Sequence, residues 1–187
     1  SNRGIWSSTG DLFSWQKKVG GFDPNTVTQD INGNLYAGGN SAGGKELYKS
    51  SDAGATWSKI SSLYGVQIIR ADGNGKVFLT EGGNNPLFVS SNQGTSFTQI
   101  NTLSLPNSGI SYPEDILFTN NKMFITKGQV YYSKDDGVNF TQLDKITFPT
   151  AGTFNYGPGG APNGNYGDST NRMEMIGNRL FVASLDG

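Results

Sequence analysis

The chain has 187 residues, 34% of them hydrophobic, with 27 glycines and a formal net charge of −1 from 14 basic and 15 acidic side chains. It contains no cysteine and no histidine. That excludes disulfides, thiolate nucleophiles, zinc–thiolate centres, His-ligated metals and a Ser–His–Asp triad, so any chemistry has to run on carboxylates, Tyr, Lys or Arg. No basic block marks a nucleic-acid or polybasic membrane partner, and apolar runs of four to five residues are far too short to insert in a bilayer.

Glycine stands at twice its usual share of about 7%, and aromatics at 12%. Glycine supplies tight turns and aromatics suit strands, so the composition predicts many short strands in one domain, residues 1–187. The sequence opens on Ser without a signal peptide and reads as a mature or excised piece.

In chain order, 4–7 and 13–17 read as two strands. Each later stretch opens with a hairpin: 26–31 and 34–37 around Asn32-Gly33, 66–71 and 76–80 around 72–75, 115–118 and 122–126 around Asn120-Asn121, and 171–176 and 179–183 around Gly177-Asn178. Three of these hairpins are followed by segments that align without gaps, 47–60, 87–100 and 130–143. Their shared pattern is Ser50-x-Asp52-x-Gly54-x-Thr56-Trp57, Ser90-x-Asn92-x-Gly94-x-Ser96-Phe97 and Ser133-x-Asp135-x-Gly137-x-Asn139-Phe140. A fourth copy, 5–17, needs one inserted residue and ends on Trp15. The closing aromatics Trp15, Trp57, Phe97 and Phe140 are spaced 42, 40 and 43 residues apart, the period of a four-stranded propeller blade.

These segments resemble the Asp-box, or bacterial neuraminidase repeat, Ser-x-Asp-x-Gly-x-Thr-Trp, of the sialidase-like β-propellers. The resemblance implies an all-β fold of antiparallel blades, in which the box shapes the turn between a blade's third and fourth strands. Local physics agrees: the Asp or Asn oxygen accepts turn N–H groups, the Gly takes a positive φ, and the aromatic is expected to bury between blades. Asp135-Asp136-Gly137 lacks the alternating oxygen ligands of a calcium loop; no metal or cofactor is expected.

The blades are 26–60, 66–100, 110–143, and a composite of 171–187 with 1–17. The chain begins with a third and fourth strand and finishes with a first and second. Pairing 4–17 with 171–183 closes a four-bladed ring and removes exposed edges; the alternative is an arc of a larger propeller.

Propellers bind ligands at the face carrying the loops between blades and from second to third strands. That gathers 20–25, 61–65, 101–113, 144–170, 38–46, 81–86 and 184–3. The long segment 147–170, with Phe154, Tyr156, Tyr166 and Asp168 in a Gly/Pro/Asn framework, suits either sugar stacking or a plug and partner contact. Tyr64 and Tyr112 join the candidate ligand set. From the first strands, aligned on their turns, Val27, Ile69, Asp115 and Arg172 fall in one layer and Gln29, Ala71, Leu117 and Glu174 in another, of which only one points inward. Asp115 with Arg172 reads as an ion pair at a binding mouth or as a solvated pair in a water-filled channel.

Sialidases of the resembling family use three arginines, a Tyr activated by Glu, and an Asp acid. Here only Arg3, Arg70, Arg172 and Arg179 exist and the Arg-Ile-Pro signature is missing, so sialidase activity is not expected. The leading expectation is a non-catalytic, secreted or cell-surface module, part of a larger surface protein, that binds a glycan or a protein. The alternative is a glycoside hydrolase using two of Glu81, Glu114, Asp115, Asp168 and Glu174.

Overall fold

The computed structural model describes residues 3–10, 12–41, 44–61, 65–81, 86–101, 103, 105, 113–119, 121–127, 129–143, 170–177 and 179–184. Among these, every regular element is a β-strand. By internal packing the chain divides into two compact units, Ser1–Ser104 and Leu105–Gly187.

In the first unit, β1 (Gly4–Ser8) and β2 (Trp15–Gly20) form a two-stranded sheet. A four-stranded sheet follows in sequential order: β3 (Phe22–Gln29), β4 (Leu35–Ser41), β5 (Gly44–Ser50) and β6 (Ser58–Ser61). A second has the same order: β7 (Val66–Ala71), β8 (Val77–Glu81), β9 (Leu87–Ser90) and β10 (Thr98–Asn101). The second unit holds another four-stranded sheet, β11 (Asp115–Thr119), β12 (Lys122–Lys127), β13 (Gln129–Ser133) and β14 (Thr141–Gln142), and a two-stranded one, β15 (Thr170–Ile176) with β16 (Arg179–Ser184). All pairings are antiparallel.

β1–β2 and β15–β16 are each two-stranded sheets, one in either unit. Open sheets of this kind fit the alternative, a partial propeller.

Register makes the blades superimposable. Leu35 lies opposite Ser50, Val77 opposite Ser90 and Met123 opposite Ser133. Bulges recur at matching places too. The third–fourth strand pairs break register between Leu47 and Tyr48 and beside Leu87; the first–second pairs break it between Pro24 and Thr26 and between Val66 and Ile68.

Two expected loops are strand. The connection 20–25 shrinks to Gly21, whose φ of 72° turns β2 directly into β3 at no steric cost. Phe22 is then buried, its ring 5.0 Å from that of Tyr48. Likewise 38–46 is mostly the continuing β4–β5 ladder, from Gly38↔Leu47 to Ser41↔Gly44. Ile31, expected at the end of a strand, lies in the turn and is exposed.

That turn is built by an aspartate. The Asp30 carboxylate accepts the Asn32 and Asn34 N–H groups, the Asn34 side-chain amide and the Tyr36 hydroxyl at 2.8–2.9 Å. Asp72 repeats the backbone half of this, accepting from Asn74 and Lys76. Burial pulls Asp30 toward its neutral form, but the Asn34 and Tyr36 bonds outweigh it and hold the carboxyl below its ordinary range. The β11–β12 hairpin has a two-residue turn instead, with Asn121 at a φ of 56°.

The core lies between sheet faces. Tyr36 and Leu47 from one sheet meet Val66, Ile69, Val77 and Leu79 from the next, all fully buried, with Ile60, Ala71, Phe88 and Phe97 packed around them. Each such aliphatic side chain contributes about 1.5–3 kcal/mol by leaving water.

Two adjacent glycines allow the approach. A Cβ on Gly38 would stand 2.3 Å from Val66 Cγ1, and one on Gly39 would stand 2.0 Å from the Asp23 carbonyl oxygen. Gly38→Ala is therefore expected to destabilise the fold by about 1–3 kcal/mol through overpacking. Part of that loss is recovered in a Val66→Ala background, because Val66 can give way. Gly39→Ala meets backbone and has no such rescue. Urea unfolding of the single and double variants reads the difference as a coupling energy.

Candidate functional site

The inner strands are tied together by side chains. In the first unit the Thr26 hydroxyl accepts the Ile69 N–H (3.3 Å) and an Arg70 guanidinium N–H (3.1 Å), and Thr28 accepts the Ala71 N–H. In the second unit Asp115 is buried and its carboxylate accepts the Ile116 and Met173 N–H groups, both at 3.0 Å. The ladders place Thr26 opposite Gly38, Ile68 opposite Thr80, Asp115 opposite Thr126 and Arg172 opposite Ala183. Asp115 therefore occupies the position of Thr26 and Ile68, not that of Val27 and Ile69. The sequence alignment slipped by one residue because the β11–β12 turn is shorter than the two turns before it. Asp115 and Thr26 do the same work: each offers an oxygen to the inner strand of the following blade.

Of the other expected ligand residues, Glu174 is exposed on β15. Arg172 pairs with Ala183 in the β15–β16 ladder, while its side chain lies outside the described residues. Tyr64, Tyr112, Phe154, Tyr156 and Tyr166 also lie outside them.

A polar cluster that the sequence reading missed stands on the first four-stranded sheet. The Tyr48 hydroxyl donates to Glu46 (2.6 Å), and Lys59 pairs with the same carboxylate at 3.0 Å. The signal was present: Glu46 and Tyr48 are two residues apart on β5 and so share a face, and the β5–β6 ladder sets Lys59 opposite Tyr48. The hydrogen bond to Glu46, then burial, pushes the Tyr48 phenol up to about 12. It stays protonated at neutral pH, a donor and stacking surface and not a nucleophile. Nearby, Arg3 and Asp23 form a largely exposed ion pair at 2.6 Å.

The three Ser-x-Asp/Asn-x-Gly turns have one geometry. Ser50, Ser90 and Ser133 are buried, and each hydroxyl accepts the glycine N–H four residues on at 2.8 Å and donates to the Asp52, Asn92 or Asp135 oxygen. That oxygen in turn accepts the N–H of Thr56, Ser96 or Asn139 at 2.9–3.0 Å. Gly54, Gly94 and Gly137 take φ of 87°, 79° and 87°, as the pattern requires. The residues before them, Ala53, Gln93 and Asp136, are also left-handed, at 55–56°.

The closing aromatics are less buried than expected. Trp57, Phe97 and Phe140 are half-buried and Trp15 is 59% exposed. The Trp57 indole N–H returns to the Gly54 carbonyl at 3.2 Å, and Phe97 reaches the core.

No family model and no curated protein matches this sequence. Solved structures do match. A structure of YCF48 bound to D1 peptide aligns with 99% of this chain and 58% of its own, at a TM-score of 0.61 and 11% identity. A nidogen/laminin complex aligns over 71% and 53%, at 0.56 and 15%. The GH74 enzyme of Niastella koreensis aligns over 73% and 21%, at 0.52 and 20%. The fold is a β-propeller. The chain spans between about a fifth and three-fifths of those propellers, and at these identities the likeness concerns fold alone.

Two outcomes follow for the polar framework. Bonds from the Thr56 hydroxyl, the Thr56 N–H and Ser50 hold Asp52 at about 2, and the Asn139 N–H, the Asn139 amide and Ser133 hold Asp135 at about 2, against an ordinary 3.8. A depressed carboxyl stabilises the fold above its unfolded value, and that contribution is lost as pH falls from about 4 through about 2. The Asp52→Asn, Asp135→Asn double variant is expected to flatten the pH dependence of unfolding in this window and to lower stability at pH 7 toward the level the wild type has once both carboxyls are protonated. Separately, Asp115→Ala strips the Met173 N–H of its acceptor and should cost about 1–3 kcal/mol. Asp115→Asn keeps an acceptor oxygen and should cost clearly less in the same urea titration.

Proposed function

We propose that this chain is a non-catalytic binding module from an extracellular propeller, taking a protein or glycan ligand on the face that carries the inter-blade loops. The observation that supports it most is where the carboxylates go. Asp30 and Asp72 close hairpins, Asp52 and Asp135 close outer turns, Asp115 joins inner strands, and Glu46 is held by Tyr48 and Lys59. Each is occupied as a structural acceptor. A glycosidase instead needs two carboxyl groups facing each other about 5–9.5 Å apart across an open cleft.

The three serine-centred turns favour membership of the Asp-box repeats, and that resemblance to bacterial neuraminidase repeats supports the extracellular assignment. Among similar propellers, one is solved with a bound peptide and one in a protein complex, which favours a polypeptide ligand over a sugar. The long segment 147–170, with Phe154, Tyr156 and Tyr166, supplies the aromatic contacts in this reading.

Glycan-array and peptide-array screens of the purified chain test it. Binding is expected to fall at least tenfold in a Tyr156→Ala, Tyr166→Ala variant and to persist in Thr95→Ala, on an outer turn. Turnover of aryl glycosides by the wild-type chain, abolished by a single carboxylate substitution, would overturn the non-catalytic reading.

A further inference from the structure

Two hairpin turns of the first unit carry an Asn-Gly pair in the same place, Asp30-Ile31-Asn32-Gly33-Asn34 and Asp72-Gly73-Asn74-Gly75-Lys76. A glycine after asparagine leaves the asparagine side chain open to attack by the backbone, because no side chain shields the glycine nitrogen. Both asparagines are exposed, and both glycines are left-handed, at φ of 84° and 89°. The turns differ at the nitrogen that would attack. The Gly33 N–H donates to the Asp30 carbonyl at 3.0 Å. Among the described residues nothing accepts the Gly75 N–H.

Neighbouring side chains account for the difference. The Asp30 carboxylate is gripped by the Asn34 amide and the Tyr36 hydroxyl as well as by two backbone N–H groups, and the Asn34 amide also reaches Gln93 at 3.3 Å. After Asp72 the corresponding positions hold Lys76 and Phe78, and a phenylalanine cannot donate. The Asp72 carboxylate is left with the Asn74 and Lys76 N–H groups, at 2.9 and 2.7 Å. Gly73 stands in place of Ile31 and loosens the turn further; a Cβ there would meet nothing within 4 Å.

We infer that Asn74 is a site of spontaneous deamidation and that the fold protects Asn32 from the same reaction. The Gly75 nitrogen gives its proton to solvent base and bonds to Asn74 Cγ. The Cγ–Nδ2 bond breaks, the amide nitrogen leaves as ammonia, and a cyclic imide remains. Water then opens the ring. Addition at Cγ gives aspartate; addition at the main-chain carbonyl gives isoaspartate, with the backbone running through the side-chain carbons. The net change is water consumed and ammonia released, without oxidation or reduction. Either product carries a carboxylate, so the formal net charge of −1 becomes more negative. The new charge stands next to Asp72 and repels it. In isoaspartate the added backbone atom also displaces the two N–H groups that Asp72 holds. Deamidation therefore weakens the turn that joins β7 to β8.

The freshly purified chain is aged in warm, mildly alkaline buffer and cleaved with trypsin, which releases Ala71–Lys76 with Asn74 as its sole asparagine. The amide-to-acid mass change in that peptide is expected to accumulate at least about fivefold faster than at Asn32, the factor in rate that one hydrogen bond is worth. In urea, where neither turn persists, the two rates should converge. Asn74→Asp should lower the urea midpoint of the folded chain as ageing does. An Ala71–Lys76 peptide that ages without change of mass would overturn the proposal, as would an Asn32 rate equal to that of Asn74 in the folded chain. A ratio that survives unchanged in urea would assign the difference to local sequence and overturn protection by the fold.

Discussion

A sheet of four short strands cannot bury either face alone. In the first unit one face of the β3–β6 sheet and one face of the β7–β10 sheet cover each other. The two sheets stack closely because Gly38 removes a side chain where Val66 of β7 approaches β4, while Gly39 makes room for the β3 backbone within its own sheet. Tyr36 and Leu47 then reach Ile69, Val77 and Leu79 without a gap. Stacking also leaves inner strands with backbone groups and no neighbouring strand on one side. Thr26, Thr28 and Asp115 answer this by lending side-chain oxygens to the next inner strand. Threonine does so without charge; Asp115 does so as a buried acceptor with two backbone donors, which offsets much of the cost of burying it.

What could be read from the sequence is what is local. The serine-centred turns were legible because their chemistry spans seven residues: a hydroxyl, a carboxylate or amide, and a glycine at fixed spacing make a closed set of bonds whatever surrounds them. Asn92 in place of Asp changes the charge and keeps the acceptor, and the turn keeps its shape. The hairpin positions Gly33, Gly75, Asn121 and Gly177 were legible for the same reason, since each takes a left-handed φ.

Failures came where length or partner decides. Segments 20–25 and 38–46 look like loops by their Gly, Asn and Pro content, yet their described residues are strand but for Gly21, because Gly21 makes a one-residue corner and the β4–β5 ladder runs on through Gly38, Gly39 and Gly44. The position of Asp115 was misread by one residue because turn length, invisible to an alignment on turns, sets the register that follows. Asp30 and Asp72 were passed over although the spacing Asp30-x-Asn32-Gly33 recurs as Asp72-x-Asn74-Gly75. Their importance lies in bonds to backbone, which composition does not display. Of the candidate ligand residues, Asp115 and Glu174 lie on strands β11 and β15, whereas the aromatic ones lie in stretches of sequence without strand alternation.

A propeller with few ionisable groups has a choice of where to spend them. In this chain the carboxylates with full hydrogen-bond sets sit at turns and strand junctions, and their bonds favour the ionised form at Asp30, Asp52 and Asp135. General acid catalysis needs the opposite, a carboxyl raised toward neutrality by burial or by a like charge. The same holds for Tyr48, whose hydrogen bond to Glu46 stabilises the phenol and moves it away from phenolate. These bonds hold Asp30, Asp52 and Asp135 as fixed charges in the frame of the turns.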